Sequence, residues 1–186
     1  MNDINAKVSS RGFTLIEVLV TIVILAIGLL GLALLQTTSL NNQLEAYQRA
    51  QALLLLEDMA NRVRVNSLAA RAGAYPDGDQ YGLLDEDDCT VLTNAAERDL
   101  CEWNTALAGS GTVLDGRNVG SLVGARACIE NLAGSGDGEL IVRLTIAWQG
   151  MAATVAPASA CGVNAFGDDD FRRVASIDTV LANLAL

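Results

Sequence analysis

The chain has 186 residues and a formal net charge of −10, a length that fits one long helix and one globular domain of about 100 to 120 residues. Because phosphate groups repel an acidic surface, this charge disfavours nonspecific binding to nucleic acid. The sequence contains no histidine, which excludes the Ser-His and Cys-His arrangements of nucleophilic enzymes, and we expect no catalysis and no cofactor.

The N-terminus joins a short polar leader, residues 1–12, to an apolar segment of membrane-spanning length, residues 13–35. The only polar side chains in that segment are Thr14, Glu17 and Thr21. A cleaved secretory signal peptide explains it poorly, because the run is too long and no Ala-x-Ala site follows. A plain signal anchor leaves the Gly-Phe junction and Glu17 unexplained, since a carboxylate costs roughly 2.5 to 3.5 kcal/mol at the bilayer centre and less toward an interface.

Positive charge lies before the apolar segment and not directly after it. Lys7 and Arg11 precede the segment, and the next positive residue is Arg49. By the positive-inside rule, the leader lies in the cytoplasm. We therefore expect the rest of the chain to face the periplasm or the outside.

The helical pattern continues past the apolar segment to about Asn66. Apolar side chains recur near a 3.6-residue period and predict a stripe that packs on a globular head. The stripe consists of Leu40, Leu44, Tyr47, Leu55, Met59 and Val63, with Ala50 and Gln51 in the gap. The polar residues expected opposite are Asn41, Asn42, Gln43, Glu45, Gln48, Arg49 and Glu57.

After the long helix, the pattern predicts one more helix and a small antiparallel sheet. The expected elements are a loop Ala72–Asp88, a helix Asp88–Ala108, and strands Leu122–Ile129, Glu139–Trp148, Met151–Ala156 and Phe171–Leu181. The clearest strand is the second, because apolar residues alternate onto one face: Leu140, Val142, Leu144, Ile146 and Trp148. The last segment also suits a helix, and we choose the strand.

The four cysteines, Cys89, Cys101, Cys128 and Cys161, all lie in the part expected outside the cytoplasm. In an oxidising compartment an even number of cysteines indicates disulfides, and four cysteines allow three pairings. We favour Cys89 with Cys101 and Cys128 with Cys161, because the first pair is local. A zinc site is a weak rival, since there is neither histidine nor a Cys-x-x-Cys spacing.

An acidic stretch after the helix resembles a calcium-binding loop. Acidic residues alternate around a glycine bend, which suits an ion that takes six to eight oxygen ligands. The residues at the ligand and bend positions are Asp77, Asp79, Gly82, Asp85 and Asp88. Tyr81 stands at a ligand position and Asp88 replaces the longer glutamate, so we favour an acidic surface loop and expect no metal.

The string Gly12-Phe13-Thr14-Leu15-Ile16-Glu17 resembles the processing site of type IV pilins and type II secretion pseudopilins. In that superfamily a membrane aspartyl peptidase, the prepilin peptidase, cuts after the glycine and methylates the new N-terminal phenylalanine. The resemblance implies that Gly12 ends the leader, that Phe13 begins the mature chain, and that Glu17 acts in assembly. The resemblance covers only about the first forty residues. The motif stands directly before an apolar helix, which is the structural context that such a motif needs.

The resemblance also implies an α+β, pilin-like fold, in which a long N-terminal transmembrane and amphipathic helix packs on a small antiparallel sheet. The implied parts are a leader 1–12, a helix 13–66 with 13–35 in the membrane, and a head 67–186. Gly28 and Gly31 would each weaken that helix by up to about 1 kcal/mol relative to alanine. They are either ordinary glycines of a spanning helix or points at which it unwinds in a fibre.

Short matches in the head are similar to PilV-type minor pilins. They are residues 59–66 (Met-Ala-Asn-Arg-Val-Arg-Val-Asn), the Val-x-Leu-x-Ile-x-Trp strand ending at Trp148, and Arg172-Arg173. The resemblance implies a minor pilin in type IV pilus assembly, whose partners are other minor pilins, the major pilin, the prepilin peptidase and the inner membrane. The head would face the periplasm and later lie in the pilus at the cell surface. A second disulfide departs from the family pattern.

Two other functions stay open. The first is a type II secretion pseudopilin, which belongs to the same superfamily. The second is a solitary membrane-anchored periplasmic binding domain, which would keep an uncut N-terminus.

Overall fold

The structure, a computed structural model, describes residues 12–83, 88–109, 113–114, 117–118, 122–136 and 138–182. The chain divides into two compact units, Met1–Asn42 and Gln43–Leu186. A long apolar N-terminal helix and a small antiparallel sheet confirm the expected α+β class.

Among the described residues, the structure contains three α-helices and six strands. The helices are α1 Leu15–Val65, α2 Ser67–Arg71 and α3 Ala95–Leu107. The strands are β1 Gly78–Tyr81, β2 Val113–Leu114, β3 Arg117–Asn118, β4 Arg126–Ala133, β5 Leu140–Gln149 and β6 Arg172–Leu181.

Four strands form the main sheet in the order β1-β4-β5-β6, and β2 pairs with β3 separately. All neighbouring strands are antiparallel. The β5–β6 register is continuous from Leu140 opposite Leu181 to Gln149 opposite Arg172. One row across the sheet brings together Glu130, Arg143 and Asp178.

The hydrophobic core lies between the second half of α1, α3 and one face of the sheet. The apolar alternation of β5 is confirmed, because Val142, Leu144, Ile146 and Trp148 are all buried. From α3, the Trp103 indole Nε1 donates to the Leu55 carbonyl of α1 at 3.2 Å. Burying such large side chains contributes roughly 1.5 to 3 kcal/mol each.

The face that α1 buries differs in part from the expected stripe. Leu40, Leu44 and Tyr47 are exposed, whereas Gln48, expected on the polar side, is 6% exposed. The buried positions of α1 are Gln48, Ala52, Leu56, Met59, Ala60 and Val63. The prediction is right at Met59 and Val63, and Leu55 packs partly buried against the core. It is wrong at Leu44 and Tyr47, because the buried face of the helix passes through Gln48, Ala52 and Leu56 instead.

Helix α3 begins later than Asp88, where the sequence pattern predicted its start. The Asp88 carboxylate accepts from the backbone N–H of Thr90 at 3.0 Å and caps the start of a single 3-10 turn, Cys89–Val91. The Asn94 side chain then accepts from the Ala96 N–H at 3.0 Å and caps α3. Two capping side chains in succession therefore replace the expected first turns of the helix.

Two strand predictions are corrected and one is confirmed. The strand expected at Leu122–Ile129 runs instead from Arg126 to Ala133. The segment Met151–Ala156 is exposed and forms no strand, and its Thr154 N–H donates to the Asp170 carbonyl instead. The tail is a strand as chosen, β6.

The expected loop Ala72–Asp88 contains a strand, β1. It ends at Tyr81 and is followed by Gly82, whose φ of +90° favours glycine. A Cβ at this position would clash with the Ala125 carbonyl oxygen. Glycine therefore lets the chain turn tightly beside β4, and the same residue makes the strand hard to recognise in the sequence.

Candidate functional site

The first turn of α1 is capped by Thr14. Its backbone carbonyl accepts from the N–H groups of Glu17 and Val18 at 3.1 and 3.3 Å. Its hydroxyl accepts from the Glu17 N–H at 3.3 Å. Thr14 and Glu17 stand in the spacing of a capping box, Thr-x-x-Glu before an apolar run. Thr14 is thus a functional residue that the sequence analysis missed, although this pattern could have identified it.

Glu17 lies in the first turn of α1, where the positive end of the helix dipole favours a carboxylate by about 0.3 to 1 kcal/mol at an exposed site. Among the described residues, its carboxylate has neither an ion pair nor a hydrogen bond. It lines a shallow groove of about 270 Å³ with Phe13, Val18 and Thr21. The carboxylate is therefore available to a cation supplied from elsewhere.

The helix after Glu17 presents an apolar surface. Large hydrophobic residues from Phe13 to Leu35 are 46% or more exposed, and no further charge appears before Glu45. The three threonine hydroxyls along it donate within the helix, from Thr21 to Val18, Thr37 to Ala33 and Thr38 to Leu34. Such bonding suits lipid, where no water satisfies polar groups. Within the described part of the chain, α1 alone is long and apolar enough to cross a membrane.

A polar network joins the end of α1 to α3. The buried Asp99 carboxylate accepts from Tyr75 Oη at 2.6 Å, Asn66 Nδ2 at 2.7 Å and Arg62 Nη1 at 3.2 Å. Arg62 also bonds Glu102 at 2.5 Å. Burial, followed by the bond to Asp99, raises the pKa of Tyr75 to about 12. Segment 59–66 thus contributes Arg62 and Asn66 to a network that fixes the helix end.

Arg172 is buried at 1% exposure and organises the loop before β6. Its Nε and Nη2 bond both oxygens of Asp169, at 2.6 and 2.8 Å, and these bonds lower the pKa of Asp169. The remaining donors reach the carbonyls of Pro157, Ser159 and Cys161 at 2.7 to 3.0 Å. A planar guanidinium with five donors suits this arrangement, whereas an ammonium would not.

Arg173 binds α1 directly. Its Nη2 donates to Glu45 Oε1 at 2.9 Å, and its Nη1 donates to Thr154 Oγ1 at 2.7 Å. Glu45 also accepts from the Met151 N–H at 3.1 Å. The two neighbouring arginines therefore have different tasks: Arg172 holds a loop, and Arg173 holds that loop and the last strand to the helix.

The structure joins Cys89 to Cys101 and Cys128 to Cys161, the pairing favoured from the sequence. The first bridge ties the 3-10 turn to α3, and the second ties the 157–161 loop to β4. Cys161 is therefore fastened twice, through its sulfur and through the bond from Arg172 to its carbonyl.

The acidic loop offers little to calcium. Asp77 accepts from the N–H and side-chain amide of Asn131 at 2.6 and 2.8 Å, and Asp88 is occupied with Thr90. Asp85 and the side chain of Asp79 lie outside the described residues. Where side chains are described, no cluster of three or more His, Cys, Asp or Glu residues is placed to hold a metal ion.

The comparisons with known proteins bear on the N-terminal segment. Residues 7–33 match a family model described as the prokaryotic N-terminal methylation motif. A comparison with curated proteins and with solved structures found no match. The matched residues include Gly12, Phe13, the cap Thr14 and Glu17. The motif therefore indicates a type IV pilin-like protein, related to a pilus or a pseudopilus.

Proposed function

We propose that the chain is a minor pilin that takes part in assembly of a type IV pilus. In this proposal the prepilin peptidase cuts between Gly12 and Phe13 and methylates Phe13, which keeps the membrane helix in the mature protein. The observation that carries the proposal is the placement of one unpaired carboxylate, Glu17, one turn after the cut and at the capped start of an otherwise apolar helix.

Glu17 is the assembly residue in this mechanism. Cutting before Phe13 creates a terminal amine four residues from Glu17, and a methylated amine still carries a proton and a positive charge. Pairing that cation with the carboxylate, in the same subunit or in a neighbour, offsets part of the penalty of a charge near lipid. A subunit that forms this pair between neighbours is stabilised in the fibre relative to the bilayer.

The remaining apolar surface of α1 supplies the packing between subunits. Because lipid tails are as apolar as the helix, association depends on close side-chain packing rather than on escape from water. Partners with matching helices, such as the major pilin and other minor pilins, would provide it. The head then faces the periplasm before assembly and the cell surface afterwards.

The first experiment separates processing from assembly. Glu17→Ala should leave the cut after Gly12 intact but reduce the amount of protein in sheared pili at least tenfold. Glu17→Asp keeps the charge and is the matched control, which should retain more incorporation than Glu17→Ala. Normal incorporation of Glu17→Ala would contradict the proposal.

The second experiment decides between the related systems. Deletion of the gene should reduce surface pili and twitching motility if the protein is a minor pilin. Loss of protein secretion with normal pili would instead identify a type II secretion pseudopilin. An uncut N-terminus with no co-purifying pilin would identify a solitary anchored domain.

A further inference from the structure

The last strand, β6, leaves one edge of the sheet open. It is the terminal strand in the order β1-β4-β5-β6 and pairs only with β5 among the described strands. Its ten residues pair with β5 in one unbroken register, without a bulge. A regular edge of this length presents a row of backbone donors and acceptors to any extended chain.

The phase of the hydrogen bonds tells which groups face outward. The Gly150 N–H donates to the Phe171 carbonyl at 2.8 Å, in the same register as the β5–β6 pairs. Because bonding alternates along an antiparallel pair, every second residue from Phe171 bonds β5. The backbone groups of the intervening residues therefore point away from the sheet: Val174, Ser176, Asp178 and Val180.

The edge lacks the usual protection against pairing. Residues 174–180 contain no proline and no lysine, and Ser176, Asp178 and Val180 are exposed. The one charge, Asp178, is bound by Arg143 of β5 through two bonds, at 2.8 and 2.9 Å. That pair lies across the sheet and leaves the backbone of β6 accessible.

The sheet surface beside this edge is acidic. A groove of about 760 Å³ runs over Thr145, Ser176 and the row formed by Glu130, Arg143 and Asp178, with residues 158–160 on one side. The row holds two carboxylates and one guanidinium, and Glu130 lies 4.0 Å from Arg143, at the limit of an ion pair. One negative charge is thus left over next to the open edge.

We propose that β6 is a docking edge for an extended segment of a different protein, which adds a fifth strand and places a lysine or arginine opposite Asp178. Residues directly across an antiparallel pair share a face of the sheet and lie about 4.5 to 5.5 Å apart at Cβ. A basic side chain at that position would reach Asp178 and the groove, and it would neutralise the excess charge. Main-chain bonds supply the affinity, and the acidic row supplies the choice of partner.

A second copy of this chain, paired through its own β6, does not place a basic side chain opposite Asp178. The side chains that β6 places on the same face as Asp178 are Val174, Ser176 and Val180, together with Arg172. Arg172 is buried and all its donors are engaged with Asp169 and the 157–161 loop. A copy paired through β6 could therefore offer no cation to Asp178, and its own net charge of −10 would oppose contact.

The test uses the full chain in detergent micelles and a blocked nine-residue peptide, Thr-Val-Thr-Val-Lys-Val-Thr-Val-Thr. A second peptide with glutamate in place of lysine is the matched probe. Amide hydrogen exchange is read residue by residue by NMR. We expect the lysine peptide to slow exchange at Ser176 and Asp178 at least tenfold, and to bind at least tenfold more tightly than the glutamate peptide.

Two variants make the test independent of general unfolding. Ser176→Pro removes an outward N–H that β5 does not use and should abolish binding, whereas Ser176→Ala should bind like the unmodified protein. Asp178→Asn keeps the strand and should remove the preference for lysine over glutamate. Equal binding of the two peptides, no slowing at Ser176 and Asp178, or slowing that rises with protein concentration without peptide would each overturn the proposal, the last in favour of a second copy.

Discussion

Arg173 Nη2 donates to Glu45 Oε1 at 2.9 Å, across 128 residues of sequence. The contact joins the start of β6 to α1 on the C-terminal side of the apolar segment. Arg173 is 15% and Glu45 32% exposed, so the pair is partly shielded from water and salt. The last strand of the head is thereby fixed to the long helix by one ion pair.

Glu45→Gln should lower the free energy of unfolding by about 1 kcal/mol, because glutamine keeps an acceptor for the Met151 N–H but loses the charge that Arg173 binds. Urea unfolding of the detergent-solubilised protein, followed by the fluorescence of the buried Trp103 and Trp148, measures this value. Asp178→Asn is a suitable control, because its pair with Arg143 is more exposed and should contribute less. A smaller loss for Glu45→Gln than for this control would show that the helix contact is not an anchor.

Asp99→Asn should destabilise the head by about 2 to 4 kcal/mol. The buried carboxylate accepts from Tyr75, Asn66 and Arg62, and an amide would direct two donors of its own toward these donors. Glu97→Gln, on the exposed side of the same helix, is the matched control and should change stability by less than about 0.5 kcal/mol. Equal midpoints of urea unfolding for the two variants would refute the role of the network.

Stability should fall in alkali as Tyr75 ionises. Its folded-state pKa is raised to about 12 from an ordinary 10.0, so the protonated form is favoured in the folded protein. The contribution of protonated Tyr75 to the free energy of unfolding is full below pH 10 and is lost as the pH rises through about 12. The loss is on the order of 2 kcal/mol. The free energy of unfolding measured from pH 9 to 12 tests this, and Tyr75→Phe should show a shallower fall. Burial also raises the pKa of Tyr81, so part of the fall should remain in the variant.

Arg172→Lys should be one of the most damaging single changes in the head, with a loss of about 3 kcal/mol or more. Lysine has three donors on one nitrogen and cannot reach Asp169 and three carbonyls together, so buried acceptors would be left unpaired. Limited proteolysis should then cleave within residues 157–161 faster than in the unmodified protein. Arg98→Lys, on an exposed residue of α3, is the control. Unchanged cleavage in Arg172→Lys would contradict the assigned role.

The parts of the fold that the sequence predicted are those with a strong, local pattern. The long apolar run of α1 and the alternation from Leu140 to Trp148 need no tertiary information, because each pattern matches one period. β1 was missed because it has only four residues, begins with Gly78 and is followed by Gly82, so that it carries almost no periodicity. The prediction that this helix starts at Asp88 was wrong because Asp88 and Asn94 cap separate segments. Two capping residues close together outweigh helical propensity.

In the candidate site, too, the residues of a local motif could be predicted and those that depend on tertiary contacts could not. Gly12, Phe13 and Glu17 follow from a contiguous motif, and Thr14 could have been added from its spacing to Glu17. The burial of Arg172 could not be predicted, because a charged residue is buried only where the chain brings acceptors to it, and these come from residues 157–161 and Asp169. The open edge of β6 also depends on strand order, which no local pattern encodes.

The central claim is that the mature chain begins at Phe13, one helical turn before Glu17. Mass spectrometry of the N-terminal peptide from the protein in its native cells tests this most directly. The account predicts a peptide that starts at Phe13 and carries one additional methyl group on its amine. A peptide that starts at Met1, in cells whose prepilin peptidase processes other pilins, would contradict it.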